Sequence, residues 1–404
     1  MERDSFILPS SEKGKVILFS PLRKKAILIE NNNETINRML EKWRSINVNY
    51  PNDITTHVNH SHVILLLTQS CNLSCEYCYS RLSRSNEVMD LDVLIKVIEH
   101  VLSYSQKGTR RFSFGGGGEP LMAWELLVKG IKYIRSNSCI DTTKISLVTN
   151  GTLLSKKRIE FLKLMGVNVN ISFDILPEIQ NRQRKSRLGE GSYELVSKNI
   201  RTMNAMGLPV SFRTTITRDS VLQLPDMVKW SKKEFPFVRD LNIWPAIDPK
   251  EKSIDFYNDY VDGFIQASEL AWPLGIRLHN WLTVTDRFHS RFCQEDFCIT
   301  PNGEIVTCLR SSAINDPNYK VFHIGSVSDE IVIDPISEKM AMDVLNSKFE
   351  ECDSCPARWS CAGICPHTRL LLSSDSIRDY CNFSRKFLAQ YIEFCVKHHL
   401  LSSE

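Results

Sequence analysis

From Val63 onward the chain alternates short apolar runs with amphipathic stretches, and this alternation constrains the fold more than any other feature. The runs are VILLLT (63–68), RFSFG (111–115), KISLVTN (144–150), VNVNISF (167–173), VSFRTTIT (210–217) and LNIW (241–244). Apolar residues at helical spacing predict helices over 91–104, 122–137, 155–165, 193–206 and 221–234, and a further one over 255–272. Short runs bounded in this way read as buried strands, and strands separated by helices form a parallel sheet. Six such units with right-handed crossovers leave an α/β fold, either a doubly wound sheet or a barrel. In both, functional groups collect at the C-terminal ends of the strands.

The flanks read differently. Residues 1–60 hold two apolar runs, Val16–Phe19 and Ala26–Ile29, around a turn-like Ser-Pro-Leu-Arg-Lys-Lys, then a helical stretch from Thr35 to Trp43. They predict an N-terminal β-hairpin plus helix, a possible peptide-binding element. Residues 293–381 lose the alternation and are turn-rich and cysteine-rich, so metal rather than a core is expected to organise them. Ser384–His399 has helical spacing again.

Charge and hydropathy exclude several functions. Fifty Lys and Arg against 47 Asp and Glu give +3, too little for nucleic acid or an anionic membrane. No apolar run reaches membrane-spanning length, and the start MERDSFILPS has no signal-peptide core, so a cytoplasmic protein is expected. In a reducing compartment 13 cysteines point to metal or catalysis rather than disulfides.

The first cysteines follow the first strand as Cys71-x3-Cys75-x2-Cys78. Three thiolates on one loop can hold three irons of a cubane and leave the fourth open to a chelating ligand. A zinc site completed by His57, His60 or His62 satisfies the same spacing. The loop's position favours the first reading, because a parallel α/β fold builds its active site there.

CNLSCEYC resembles the cluster motif of the radical S-adenosylmethionine (radical SAM) enzymes. The resemblance implies a [4Fe-4S] cluster whose open iron is chelated by S-adenosyl-L-methionine, an electron donor such as flavodoxin or ferredoxin, and a 5'-deoxyadenosyl radical. It also places the aromatic Tyr77 near the adenine. The next strand ends in Gly115-Gly116-Gly117-Gly118-Glu119-Pro120, which resembles the family's GGEP motif. Gly117, Gly118, Glu119 and Pro120 are thereby expected to receive the methionine ammonium, glycines allowing close backbone approach and a carboxylate opposing the cation. Asn150 at the end of the third strand, and Ser172 and Asp174 at the end of the fourth, resemble segments that contact the nucleoside. Arg213, and Arg182 or Arg184 in NRQRKSR, could neutralise a carboxylate.

Farther on come Cys293, Cys298, Gly303 and Cys308, then Cys352-x2-Cys355-x5-Cys361-x3-Cys365, and Cys381. Eight thiolates make two four-ligand sites, and spacing alone does not choose between zinc and iron-sulfur. The pattern resembles the SPASM domain of radical SAM peptide and protein maturases, which carries two auxiliary [4Fe-4S] clusters. The resemblance implies a nearer cluster on Cys293, Cys298, Cys308 and Cys365, and a farther one on Cys352, Cys355, Cys361 and Cys381. Without Cys298 the nearer cluster would keep an open iron. Cys139 and Cys395 fall outside every motif.

On this reading residues 61–275 form a partial (β/α)6 TIM-like barrel and 276–404 a SPASM domain with a C-terminal helix. The expected activity is hydrogen abstraction from a residue of a ribosomally synthesised precursor peptide, giving a cross-link or related modification. Sulfatase maturases, the alternative, typically carry an Asp after the cysteine matching Cys308, where this chain has Leu309 and Arg310. A zinc protein or an electron-transfer protein without its own substrate is the alternative from another class.

Overall fold

The structure, a computed structural model, describes residues 4–48, 55–104, 109–246, 253–283, 288–293 and 296–401. It opens with three antiparallel strands, β1 (Phe6–Pro9), β2 (Lys15–Ser20) and β3 (Lys25–Glu30), followed by α1 (Asn33–Arg44). The expected hairpin is therefore a three-stranded sheet. Strand β1 escapes a pattern search because it is four residues long and ends in proline. The unbroken apolar run of β2 is explained by burial on both sides. Val16 and Leu18 pack with Ile36 and Trp43 of α1, whereas Ile17 and Phe19 join the main core.

The barrel strands β4 (His62–Leu65), β5 (Arg110–Phe114), β6 (Thr143–Thr149), β7 (Val167–Ser172), β8 (Ser211–Ile216) and β9 (Asp240–Pro245) pair in parallel and in sequence, and β10 (Arg277–His279) adds to β9. The crossovers run through α2 (Leu91–Ser103), α3 (Trp124–Asn137), α4 (Lys156–Leu164), α5 (Pro177–Gln183) with α6 (Tyr193–Ala205), and α7 (Leu224–Glu234); α8 (Ile254–Ala271) precedes β10. Serine hydroxyls accept from backbone N–H groups at the starts of α4 (Ser155) and α8 (Ser253), fixing where those helices begin. Helix α5, unexpected from sequence, starts at Pro177, whose fixed φ suits the first helical turn.

The strands are buried unequally on their two faces, contrary to the fully buried reading. Ile145 and Leu147, Phe212, and Leu241 and Ile243 point at the helices and are fully or almost fully buried. Phe173, Phe212 and Phe235 meet there with ring centroids 5.2–5.5 Å apart, each burial contributing about 1.5–3 kcal/mol. On the other face Ser146, Asn170, Ser172, Arg213, Asn242 and Trp244 remain partly accessible. One face of the sheet is thus apolar and buried, and the other is mostly polar and partly accessible.

The C-terminal region is not a separate coreless unit. β11 (Cys298–Ile299) pairs in parallel with β4, and β12 (Glu304–Val306), β13 (His323–Val327) and β14 (Ile331–Ile333) continue antiparallel, making one 11-stranded sheet. The helices Pro335–Asn346 and Ser374–Lys397 place Ala341, Leu345, Phe383 and Phe387 in the same hydrophobic core as the barrel. No helix among the described residues is long and apolar enough to cross a membrane.

Candidate functional site

The Cys71–Cys78 loop leaves the end of β4 and is stitched to the segment after β7. Ser74 N–H donates to Lys185 O (2.8 Å), Glu76 N–H to Gln183 O (3.1 Å), and Leu73 bridges Ser186. Burial pushes the Cys75 thiol up to about 12 and raises Cys71 as well, and the three thiols of the loop interact electrostatically with one another. The upstream histidines are engaged elsewhere: His57 with Glu338 (3.1 Å), His60 with His100 (2.8 Å) and His62 with Ser113 (2.9 Å). Among the described residues no three His, Cys, Asp or Glu groups gather around a single-ion position.

The glycine run closes over this loop. Gly116 and Gly117 have φ of +82° and +62°, which favours glycine. At Gly118 a Cβ would lie 1.9 Å from Ser70 O, so backbone meets backbone there. Gly118 N–H donates to Thr68 O, and Glu119 N–H to Ser70 O, both at 2.8 Å. Beside Gly117 the buried Gln69 Oε1 has no hydrogen-bond partner, an acceptor suited to a cation. Arg84 spans the two loops, donating to Gly117 O (3.0 Å) and to Cys78 Sγ (3.1 Å).

Glu119 acts as a clasp. Its carboxylate accepts from Thr149 Oγ1 (2.6 Å), Asn150 N (2.8 Å) and Leu121 N (3.1 Å), tying the end of β5 to the end of β6. Burial raises its pKa, opposed by these hydrogen bonds. Three of about four acceptor positions are used, leaving little capacity for a ligand. Pro120, the last residue of the motif, is buried at the start of a 3-10 turn. Asn150 also faces the cysteine loop, its Nδ2 donating to Asn72 Oδ1 (2.9 Å).

Asp174 is occupied more completely. Arg184 Nε and Nη2 (2.9 and 3.0 Å), Tyr77 Oη (2.7 Å), Gln183 Nε2 (2.9 Å) and Thr215 N (3.0 Å) all donate to it. The Arg184 guanidinium lies 5.2 Å from the centre of the Tyr77 ring. Burial alone would lower the Arg184 pKa, but Asp174, Tyr77 and Cys75 raise it. Asp174, Arg184 and Tyr77 therefore form a buried brace that orients the cysteine loop. The nucleoside-contacting role expected of Asp174 has no free carboxylate oxygen to serve it. Ser172 and Arg213 are register partners on the partly accessible face of the sheet. Arg182 is directed away, to Asp219 O (3.2 Å).

The second group of thiols divides in two. Cys352, Cys355, Cys361 and Cys381 line one cavity of about 390 Å³. Cys293 and Cys365 hydrogen-bond to each other with Cys308 close by, and the Arg310 guanidinium interacts with all three. Cys298 stands apart from that trio in its packing: it faces Ile64, Leu66 and Val306, with Leu309 against them. Cys139 is exposed and Cys395 buried in the core.

Sequence reasoning overlooked Gln69, Arg84 and Tyr79. Each sits within six residues of Cys71 or Cys78, so adjacency to the motif was their only signal.

The geometry of a cysteine loop and a glycine loop at adjacent strand ends of an open parallel barrel agrees with the comparison to known proteins. Residues 65–230 match the Radical SAM superfamily, and the chain contains a radical SAM domain. An uncharacterized protein of Methanocaldococcus jannaschii is 30% identical over 169 residues, 42% of this chain and 57% of that protein. The chain thus covers little more than half of that relative. A cysteine-type anaerobic sulfatase-maturating enzyme of Clostridium novyi is 24% identical over 275 residues, 61% of this chain and 73% of that protein. Among solved structures, anSMEcpe with bound AdoMet shares the fold with a TM-score of 0.70 at 20% identity, covering 84% of this chain and 98% of that one. SuiB of Streptococcus suis bound to precursor peptide SuiA superposes with a TM-score of 0.52 at 15% identity, covering 93% and 97%.

Proposed function

We propose that the protein is a radical SAM maturase that abstracts hydrogen from a residue of a ribosomally made peptide. Cys71, Cys75 and Cys78 would hold a [4Fe-4S] cluster. The orphan Gln69 Oε1 and the glycine cradle fit the methionine ammonium of S-adenosylmethionine, and Ser172 and Arg213 offer a hydroxyl and a cation on the same face. When bound, cluster and cosubstrate supply one-electron cleavage that yields a hydrogen-abstracting carbon radical. The chain's own contribution is positional: the Asp174 brace holds Tyr77 and the loop, Glu119 locks neighbouring strand ends, and the half-open interior admits a substrate side chain. The two C-terminal thiol groups would hold auxiliary clusters that drain or supply electrons.

The observation favouring a peptide over a sulfatase substrate is Leu309. It occupies the place after Cys308 and packs against Ile64, Leu66, Cys298 and Val306, so an alkyl chain stands where a carboxylate base would be needed. SuiB bound to its precursor peptide, and anSMEcpe bound to AdoMet and Cp18Cys peptide, give the same fold peptide ligands in two cases. Sulfatase maturation is the second reading, favoured by the likeness to the Clostridium novyi enzyme. Co-expression with a short peptide encoded beside the gene, read by mass spectrometry, tests the first. Loss of two hydrogens from that peptide supports it; conversion of a sulfatase-derived cysteine peptide to formylglycine, with the short peptide unchanged, would favour the second.

A further inference from the structure

We propose that Ser312 is a positioning residue for the cosubstrate seat: its hydroxyl holds the Gln69 amide so that Oε1 faces the glycine cradle. The C-terminal loop that carries Cys308 thereby completes a site built otherwise from barrel strand ends. The inference rests on the reading of Gln69 given above and adds what orients it.

The backbone of Gln69 is already fixed, its N–H donating to Glu87 O (3.2 Å) and its carbonyl accepting from Arg84 Nη1 (3.3 Å). What remains free to turn is the amide. A primary amide presents an oxygen acceptor at one corner and two N–H donors at the other, and an ammonium ion can bond only to the first. Gln69 is 2% exposed, so its donors are shielded from water and need a partner in the protein. Among the described residues that partner is Ser312 Oγ, which accepts from Nε2 at 3.2 Å across 243 positions of sequence. With Nε2 held there, Oε1 lies 2.7 Å from where a Cβ at Gly117 would stand, and no hydrogen bond engages it. The carboxylate of Glu119, by contrast, is spent on Thr149, Asn150 and Leu121.

Ser312 is itself held in place. Cys308 to Ser311 forms a turn closed by Ser311 N–H on Cys308 O (3.0 Å), and Ser311 Oγ donates to Asp316 Oδ1 (2.9 Å). Ser312 is 6% exposed, and the turn before it borders the glycine loop a second time, since a Cβ at Gly116 would lie 3.7 Å from Leu309 Cδ1. Ser312→Ala would leave the Nε2 donors buried without a partner, and recovering one requires the amide to rotate, which takes Oε1 out of the cradle. The seat thus depends on a residue of the thiol-bearing C-terminal region, and the barrel does not make it alone.

The test is calorimetric binding of S-adenosylmethionine to anaerobic, iron-loaded, full-length enzyme, in a cycle of wild type, Gln69→Ala, Ser312→Ala and the double variant. Gln69→Ala is expected to weaken binding by about tenfold or more, the weight of a charge-assisted hydrogen bond, and Ser312→Ala by about fivefold, that of a neutral one. In the double variant the Ser312 change should add less than about twofold, because the side chain it positions is gone. Ser312→Thr keeps the hydroxyl and should bind within about twofold of wild type, a rescue that a purely structural loss would not show. Should Ser312→Ala load no iron, Ser312→Gly takes its place, and failure of both overturns the proposal by assigning the hydroxyl to the loop's own folding. Unchanged affinity in Ser312→Ala overturns it, as does an equal loss with and without Gln69, or a Thr variant as weak as the Ala one. Unchanged affinity in Gln69→Ala overturns the seat assigned to Gln69 together with the role of Ser312, and leaves the maturase reading standing. Only a loaded wild-type enzyme that binds no S-adenosylmethionine overturns all three.

Discussion

The two ends of the molecule prepare their thiols in opposite ways. Around Cys71, Cys75 and Cys78 the polar side chains are bonded to one another: Asp174 collects donors from four residues, and Glu119 from three. Around Cys352, Cys355, Cys361 and Cys381 the protein leaves a hollow of about 390 Å³ walled by the thiols and by Phe349, Ile364 and Ile377. The first site owes its shape to the strand ends beneath it. On the proposed reading, the second would take its shape from the group it binds. The difference predicts which site depends on its cofactor for structure and which depends on the chain.

Removing iron should separate them most sharply. Amides of Glu350–Cys381 are expected to exchange about a hundredfold faster or more after anaerobic chelation, while β5–β8 keep their protection, because binding energy at a metal-organised site is folding energy. Equal loosening of both regions would erase the contrast. Next in size is Asp174→Ala, which leaves the Arg184 charge buried and unpaired; urea denaturation should show a loss of about 3–5 kcal/mol. Tyr77→Phe removes one donor and should cost about 1 kcal/mol by the same measurement. Gly118→Ala must displace the Ser70 backbone, and about 1–3 kcal/mol of destabilisation is expected, with weakened S-adenosylmethionine binding in calorimetry.

The smallest effect concerns the helix that carries Cys381. Glu269 of α8 meets Lys397 (3.0 Å) and His398 (2.7 Å) of that helix. Burial would raise the Glu269 pKa, but hydrogen bonds from His398 and Lys397 outweigh it and hold the carboxyl below its ordinary 4.5. This contribution is complete above 4.5 and fades as pH drops through the lower folded value. Being partly exposed and screened, it amounts to about 0.5 kcal/mol, measurable as a difference between wild type and Glu269→Gln at pH 7 that vanishes toward pH 3.

The barrel was legible because each strand carries several apolar residues and each crossover helix spans at least two turns. Periodicity had nothing to work on in β11–β14, which are two to five residues long, so the C-terminal region read as turns although its apolar residues complete the common core. The cysteines were legible as spacing, and Cys352, Cys355, Cys361 and Cys381 line one cavity. The packing of Cys298 with Ile64 and Val306 was not, since it depends on which strand β11 joins. Asp174 and Arg184 were both singled out as cosubstrate contacts, but their pairing follows from α5, whose helical turn over NRQ the sequence hid in a charged run.

The pairing of β11 with β4 reaches beyond the site. Cys298 and Ile299 sit beside Ile64 and Leu65 only after the intervening barrel has been made, so one flank of the first barrel strand waits for chain synthesised much later. Loop closure of that span slows folding, and an unpaired β4 edge offers Val63–Leu67 to other chains meanwhile. A fragment ending near residue 275 would keep that edge permanently, so the barrel and its cysteine-rich extension are expected to be inseparable in expression: the fragment should aggregate where the full chain does not.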